Sequence, residues 1–562
     1  MADGGTFDIS GLTNGGTSIK TLSGTGNVDL GVNTLTLTAA DGTLSGAIGL
    51  AGDTGGLTVA AGTETLNGGT INVGTLTVDG TLDSTGISFI NETTIINPGN
   101  IHQISGTLTI DPSPFTNTGT FEVGGSVVLD GEVVTNSHGV ASVIQEVVTN
   151  TNGVIQIDPH GTLTLFDTTI NGGTIDDNGT LLLTGTTSKL ENVTFSGTAT
   201  LDIASGARLE LGGSGYSGVT VKFDQADGAG LLVLDDSHHF NGTISGLVEA
   251  DPESAENHVD LTDLAYTANK MSFSFNSTTD MLTITNNSSH AHPDSVSLHI
   301  ATGSNFSAEF EIHSDTTIGG LGGTLLDDPS ATGVNTIDSG DVLGIMAASS
   351  ATINFTNTAG TTGELLLADS KDFTGTIAGF TGDGTTANSD LIDVTDISFA
   401  DVATNKTTYT DHGNGTGTLT LYNASGQALD SINFDGNYQL ANFTIENDGD
   451  GDTLIVDPPV KAGGQTPVSP IVTPNHNSAG TAVPDGFVFN FAGHNHAPTP
   501  DFHPDWDSFQ PGGSMLNTLH SGPSATPDQG YSNVPPGSDG HDHLGLSGFV
   551  KAHLYASDFH FV

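Results

Sequence analysis

Residues Asn447 to Asp452, NDGDGD, carry oxygen-bearing side chains separated by glycine, the pattern with which a loop wraps a hard cation. Asn447, Asp448, Asp450 and Asp452 are therefore the first calcium candidates. The matching place in an earlier related stretch, SDTTIGGLGGT, lacks these acids, so a polar hairpin turn is the competing reading. A second set is Asp-x-x-Asp, present at Asp260/Asp263 and again at Asp393/Asp396. Strand alternation places Asp260 outward between Val259 and Leu261, which predicts a solvated strand edge as readily as a calcium ligand set. His494, His496, His503, His541 and His543 are of the type that binds zinc or nickel, but they sit in a polar stretch with no periodic element to hold them.

Catalysis has little to work with. The chain has no cysteine, and its 9 basic residues include a single arginine, Arg208, in the strand-like GARLEL. Asp176–Asp177 and Asp235–Asp236 are adjacent pairs, and neighbouring strand residues point to opposite faces, so neither pair can serve one glycosidic bond. No Gly-x-Ser-x-Gly elbow, His-Glu-x-x-His or Walker loop occurs. A non-enzyme is expected.

Sixty-four acidic residues give a formal net charge of −55, which disfavours nucleic acid and anionic membranes as partners and makes screening cations such as calcium relevant. No apolar run reaches the length of a membrane span, and the first residues lack the basic and apolar regions of a secretory signal. Membrane insertion is not expected.

The elements that would position these side chains are short strands. Only 35% of the chain is hydrophobic, 77 residues are glycine, and Thr, Asn, Asp and Ser fill much of the rest. That vocabulary builds turns and polar strand faces. Gly-Thr opens a strand at Gly74, Gly106, Gly119, Gly161, Gly179 and Gly197, and the last three lie 18 residues apart. This spacing predicts an elongated parallel β-helix, a β-solenoid, in which three strands and three turns raise the chain by about 4.8 Å. Ile71, Val73, Leu76, Val78 and Leu82 are expected inside, and Asn72, Thr75, Thr77 and Asp83 outside. Glycine suits a corner that needs positive φ.

Residues 19–69, containing LSGTGNVDLGVNTLTLT and GTLSGAIGLAGDTGGLTV, resemble the autotransporter-associated β-strand repeat of bacterial passenger regions. The resemblance implies a surface-exposed right-handed β-helix stalk and carries no catalytic residues. The tail segments DGFVFNF, DFHPDWDSF and LGLSGFVKAHLYASDFHFV resemble the closing unit of RTX-type, type I secreted proteins, with Asp558, Phe559, Phe561 and Val562 as the acidic-then-apolar terminus. The calcium-roll line of that family is degraded here to GHNHAPTPDF.

LLVLDDSHHFNGTISGL at 231–247 aligns with ELLLADSKDFTGTIAGF at 364–380, and HVDLTDLAY at 258–266 with LIDVTDISF at 391–399, both at an offset of 133. The expected organisation is a solenoid over 1–215, two copies of one β-module over 216–336 and 337–458, a linker over 459–484, and a largely irregular secretion-like segment over 485–562. The function expected is that of a secreted, adhesin-like surface or matrix protein of a Gram-negative bacterium, exported by type I secretion machinery. Its partners would be glycans or matrix polymers. The alternatives are a pectin-lyase-like polysaccharide enzyme and a self-associating filament or surface-layer subunit.

Overall fold

Alternating aliphatic and polar residues wind this chain into stacked parallel coils. The computed structural model describes residues 4–457 apart from 112–113, 136–140, 224–229, 248–256, 269, 290–291, 302–308, 316–322, 330, 357–361 and 450, together with the backbone of four short strands beyond residue 485. The chain is 57% strand, wound as a β-solenoid of about 16 turns.

Up to residue 196 each full coil has three faces. Thr75–Val78 lies on the first, pairing in parallel with Gly56–Val59 below and Thr94–Asn97 above. The long strand Thr81–Asn91 then bends at Gly86 and serves the other two, its second half lying over Thr70–Ile71 on the second face and its first half over Thr63–Asn67 on the third. Ile71, Val73, Leu76, Val78 and Leu82 are buried and the residues between them are partly exposed, as alternation requires. One apolar cluster runs up the axis from Ile9 to Val342. Its filling is mostly aliphatic; among its aromatic members Phe115 and Phe121 pack edge to face with centroids 5.3 Å apart, and Tyr216, Phe223, Phe240, Phe273 and Phe310 lie further along.

The coil length varies more than the spacing of glycines suggested. Thr162 stacks on Thr180, 18 residues on, but Leu181 stacks on Leu201, 20 residues on, so Gly197 does not stand above Gly179. The parallel ladder sets register by inward side chains, and turns absorb the extra residues. The largest insertion is the antiparallel hairpin of Glu132–Thr135 and Ala141–Ile144, which leaves Thr120 pairing directly with Val154. The glycine requirement also divides into two kinds. Gly106 has φ +83° and a Cβ there would lie 2.0 Å from the carbonyl oxygen of Gly86, whereas Gly161 needs only the space, its Cβ falling 2.1 Å from the oxygen of Val123.

The third face ends at Thr194–Ser196, and two-faced coils follow. They end twice in the same way. Thr243–Ser245 pairs in parallel with the last strand of the antiparallel meander Met271–Asn276, Met281–Asn286 and Asp294–Ala301, while His258–Leu261 is closed by antiparallel Thr324–Asp327. In the second occurrence Thr376–Ala378 pairs in parallel with the last strand of Thr408–Asp411, Thr416–Tyr422 and Ala428–Asp435, and Leu391–Ser398 is closed by antiparallel Asp452–Val456.

Residues 471–562 form a separate compact unit. Its described backbone comprises Gly486–Phe489 parallel to Ser508–Pro511 and Tyr531–Asn533 antiparallel to Gly545–Ser547. The segment 459–484, the five tail histidines and the terminal residues Asp558, Phe559, Phe561 and Val562 lie outside the described residues. No helix among the described residues is long and apolar enough to cross a membrane.

Candidate functional site

The NDGDGD residues close a hairpin between Thr444–Asn447 and Asp452–Val456. Oδ1 of Asp448 accepts the backbone N–H groups of Gly451 and Asp452, both at 2.8 Å, and Oδ1 of Asn447 accepts that of Gly449 at 2.8 Å. These are the local bonds of an Asx-type turn. Asp450 lies outside the described residues.

The Asp-x-x-Asp pairs do not behave alike. Asp260 is fully buried, which corrects the solvated edge expected from alternation. It does point away from the axial core, but the antiparallel strand Thr324–Asp327 lies beside it, and Leu231, Val233 and Leu325 form a second apolar cluster on that outer side. Neither carboxylate oxygen has a hydrogen-bond partner among the described residues. Burial, then the charge of Asp315, pushes its pKa up to about 7. Asp263 instead accepts the backbone N–H and the hydroxyl of Ser237, at 3.1 and 2.5 Å, and faces His238 Nδ1 at 2.7 Å. Burial opposes ionisation of Asp263, but the bonds from Ser237 and His238 outweigh it and hold its pKa low. In the second copy Asp393 is half-buried and Asp396 exposed. The four residues are thus two positions with different surroundings rather than two copies of one ligand set.

Asp260 yields a pH prediction. Its pKa is higher folded than unfolded, so the folded state binds the extra proton. The stability it contributes is present below the ordinary carboxylate range and erodes as pH rises through about 7. Asp260→Leu, which extends the apolar cluster, raises the melting temperature at about pH 8 and changes it little at about pH 4. A thermal melt at the two pH values measures this, and equal shifts would refute it.

Asp327, next to this place, is buried between two imidazoles: His258 Nδ1 bonds one oxygen, and His313 Nε2 lies 2.7 Å from the other. Burial raises its pKa, yet His258 and His313 together hold it below the usual carboxylate range. The adjacent aspartates are separated as alternation requires. Asp177 is buried, accepting the N–H groups of Gly179 and Thr200 at 3.1 and 3.3 Å, while Asp176 is partly exposed. Asp235 pairs with Lys189 at 3.1 Å and Asp236 with His239 at 2.7 Å. Arg208 is held by Glu210 at 2.6 Å, beside Lys189, which also contacts Glu191 and Glu210. The lone arginine is neutralised within its own strand face.

Two arrangements escaped the sequence reading. The first is a buried asparagine ladder at one corner. Nδ2 of Asn97 donates to Oδ1 of Asn117 at 2.7 Å, and Nδ2 of Asn117 donates to Oδ1 of Asn150 at 2.7 Å. Each amide also donates to a backbone carbonyl of the coil above: Thr120 at 2.8 Å, Val154 at 3.2 Å and Thr174 at 3.4 Å. The signal was an Asn two or three residues before glycine, as in NPGN, NTGT and NTNG.

The second is a polar column on the third face. Parallel register places Thr65, Asp83, His102, Glu122, Gln156 and Asp176 on successive coils. His102 stands between two carboxylates, Nδ1 3.5 Å from Asp83 and Nε2 3.6 Å from Glu122. Asp158, just past the strand Val154–Ile157, joins them: one ligand atom each of His102, Glu122 and Asp158 lies within 4.8 Å of the others. Residues 20 and 36 apart in sequence meet here, which no local spacing announces. A parallel column of Thr63, Thr81, Asn100, Thr120, Val154, Thr174 and Thr194 runs beside it on the same face.

No protein-family model matches the chain, and no curated protein matches it in a sequence search.

Proposed function

We propose that the protein is a secreted, non-catalytic surface or matrix protein of a Gram-negative bacterium that binds polymeric glycans through repeated weak contacts. The observation that carries this reading is the Thr63-to-Thr194 column, six of whose seven members are Thr or Asn, one per coil and each at least partly exposed. Hydroxyl and amide groups at a spacing of about 4.8 Å suit a polymer with repeating hydroxyls, and affinity then grows through the number of simultaneous contacts. The strongly acidic charge of −55 supports a partner that is neither nucleic acid nor an anionic membrane. Export by type I machinery rests on the resemblance of the tail segments, and calcium on the acidic charge alone.

Co-sedimentation of the full chain with insoluble polysaccharides tests the reading. Binding to at least one polymer is expected, with competition by soluble polymer and little by its monosaccharide. Thr81→Ala alone weakens it slightly, whereas Thr81, Asn100, Thr120 and Thr174 all changed to alanine abolish it. Absence of binding to every polymer, or release of reducing or unsaturated sugars, would overturn the proposal, the latter in favour of a β-helix enzyme.

A further inference from the structure

We propose that His102, Glu122 and Asp158 form a three-ligand binding site for a zinc-class divalent cation, with Asp83 and Gln156 positioning the ligands. The site is distinct from the acidic loops considered for calcium, because an imidazole nitrogen with two carboxylates is a borderline donor set rather than a hard all-oxygen one.

Three features point to a metal rather than to a simple ion pair. The first is spacing. Nε2 of His102 and the nearer oxygen of Glu122 are 3.6 Å apart. Two ligands at about 2.0–2.1 Å from a tetrahedral zinc are separated by about 3.3 Å, so only a small side-chain movement closes the pair on an ion. Asp158 completes a triangle whose atoms lie within 4.8 Å of one another.

The second is the surrounding polar shell. A metal-bound imidazole commonly has a carboxylate or carbonyl at its other nitrogen, fixing the ring and its tautomer. Asp83 stands 3.5 Å from Nδ1, leaving Nε2 toward Glu122. Gln156 supplies the equivalent support to the third ligand, donating from Nε2 to Oδ1 of Asp158 at 2.8 Å and leaving Oδ2 for an ion. Asp83 and Asp158 are thus placed in unlike roles by the same column.

The third is charge. Three carboxylates surround one histidine, and their side chains are largely covered, Asp83 at 19% and Glu122 at 25% exposure. A neutral imidazole leaves that group uncompensated, and even an imidazolium offsets only one of three charges. A divalent cation balances the two ligating carboxylates of Glu122 and Asp158, leaves Asp83 to face the imidazole Nδ1, and ties three successive coils together. With three protein ligands, one coordination position remains for water or an oxygen of an outside ligand, and it opens on the same face as the threonine column.

The experiment is titration of the metal-stripped full-length protein with zinc and, separately, with cobalt. Histidines beyond residue 490 provide other donors, so the readout is the difference between parent and variants. The parent is expected to bind one more equivalent than His102→Ala, and cobalt at that equivalent gives the visible absorption of a four-coordinate site. Glu122→Gln loses the same equivalent. Asp83→Asn, which keeps all three ligands, weakens it about 10–100-fold. Asp448→Asn changes nothing, and calcium does not compete. All four side chains lie off the axial core, and circular dichroism confirms that each variant is folded. Identical zinc and cobalt titrations for the parent, His102→Ala and Glu122→Gln would overturn the proposal, as would displacement by calcium.

Discussion

Asn117→Ala lowers the free energy of unfolding by about 2–4 kcal/mol, measured by urea denaturation, although the side chain removed is polar. Asn117 is fully buried, receives the amide of Asn97, and donates to both Asn150 and the carbonyl of Val154. Alanine leaves the Oδ1 of Asn150 and the Val154 carbonyl each short of a donor at a place water does not reach. Each stranded buried group costs about 1–3 kcal/mol. The substitution also breaks the ladder in its middle, between a coil boundary 20 residues long and one 33 residues long. Asn72→Ala, at a partly exposed position of the same residue type, changes stability by less than about 0.5 kcal/mol. Equal effects at the two sites would mean that the ladder contributes nothing.

Phe121→Ala destabilises by about 3–5 kcal/mol, the range for removing a buried aromatic ring without collapse of the site. Phe121 is fully buried, packs against Phe115, and stacks between Ile101 and Ile155 on the coils either side. The parallel ladders above and below fix the backbone at about 4.8 Å, so the coil cannot close over the void. Phe121→Leu recovers much of the loss. The same substitution at half-buried Phe195, near the end of the third face, costs less. Urea denaturation midpoints for the three variants give the comparison, and Phe195→Ala at least as damaging as Phe121→Ala would contradict this account of the core.

Much of the fold was legible because one rule, alternation against a narrow core, recurs in every coil. Leu76 and Val78 are inside and Thr75 and Thr77 outside for the reason that Leu163 and Leu165 are inside and Thr162 and Thr164 outside. Glycine was legible as a corner marker, but the equal spacing of Gly161, Gly179 and Gly197 misled, since turns take up two extra residues between the second pair of coils. Alternation correctly turned Asp260 away from the axis and failed on its exposure, because what lies outside it arrives from residues 324–327. The asparagine ladder and the His102 column are invisible for the same reason. Their members are ordinary turn and strand residues until coils of unequal length bring them into line. Asp448 shows the converse, a residue of a cation-like sequence pattern whose Oδ1 is engaged by its own turn.

The central claim is parallel stacking in a register that survives the 131–145 insertion, and paired cysteines test it directly because the native chain has none. Thr120 and Val154 are register partners on the same outward face, as are Glu122 and Gln156. Thr120→Cys with Val154→Cys is expected to form an intramolecular disulfide under mild oxidation, at a Cα separation of about 5 Å. Thr120→Cys with Gln156→Cys, about 8 Å apart on the diagonal, is expected to stay reduced. Preferential cross-linking of the second pair would mean that these strands are either slipped by two residues or antiparallel, and the claimed parallel register would fail.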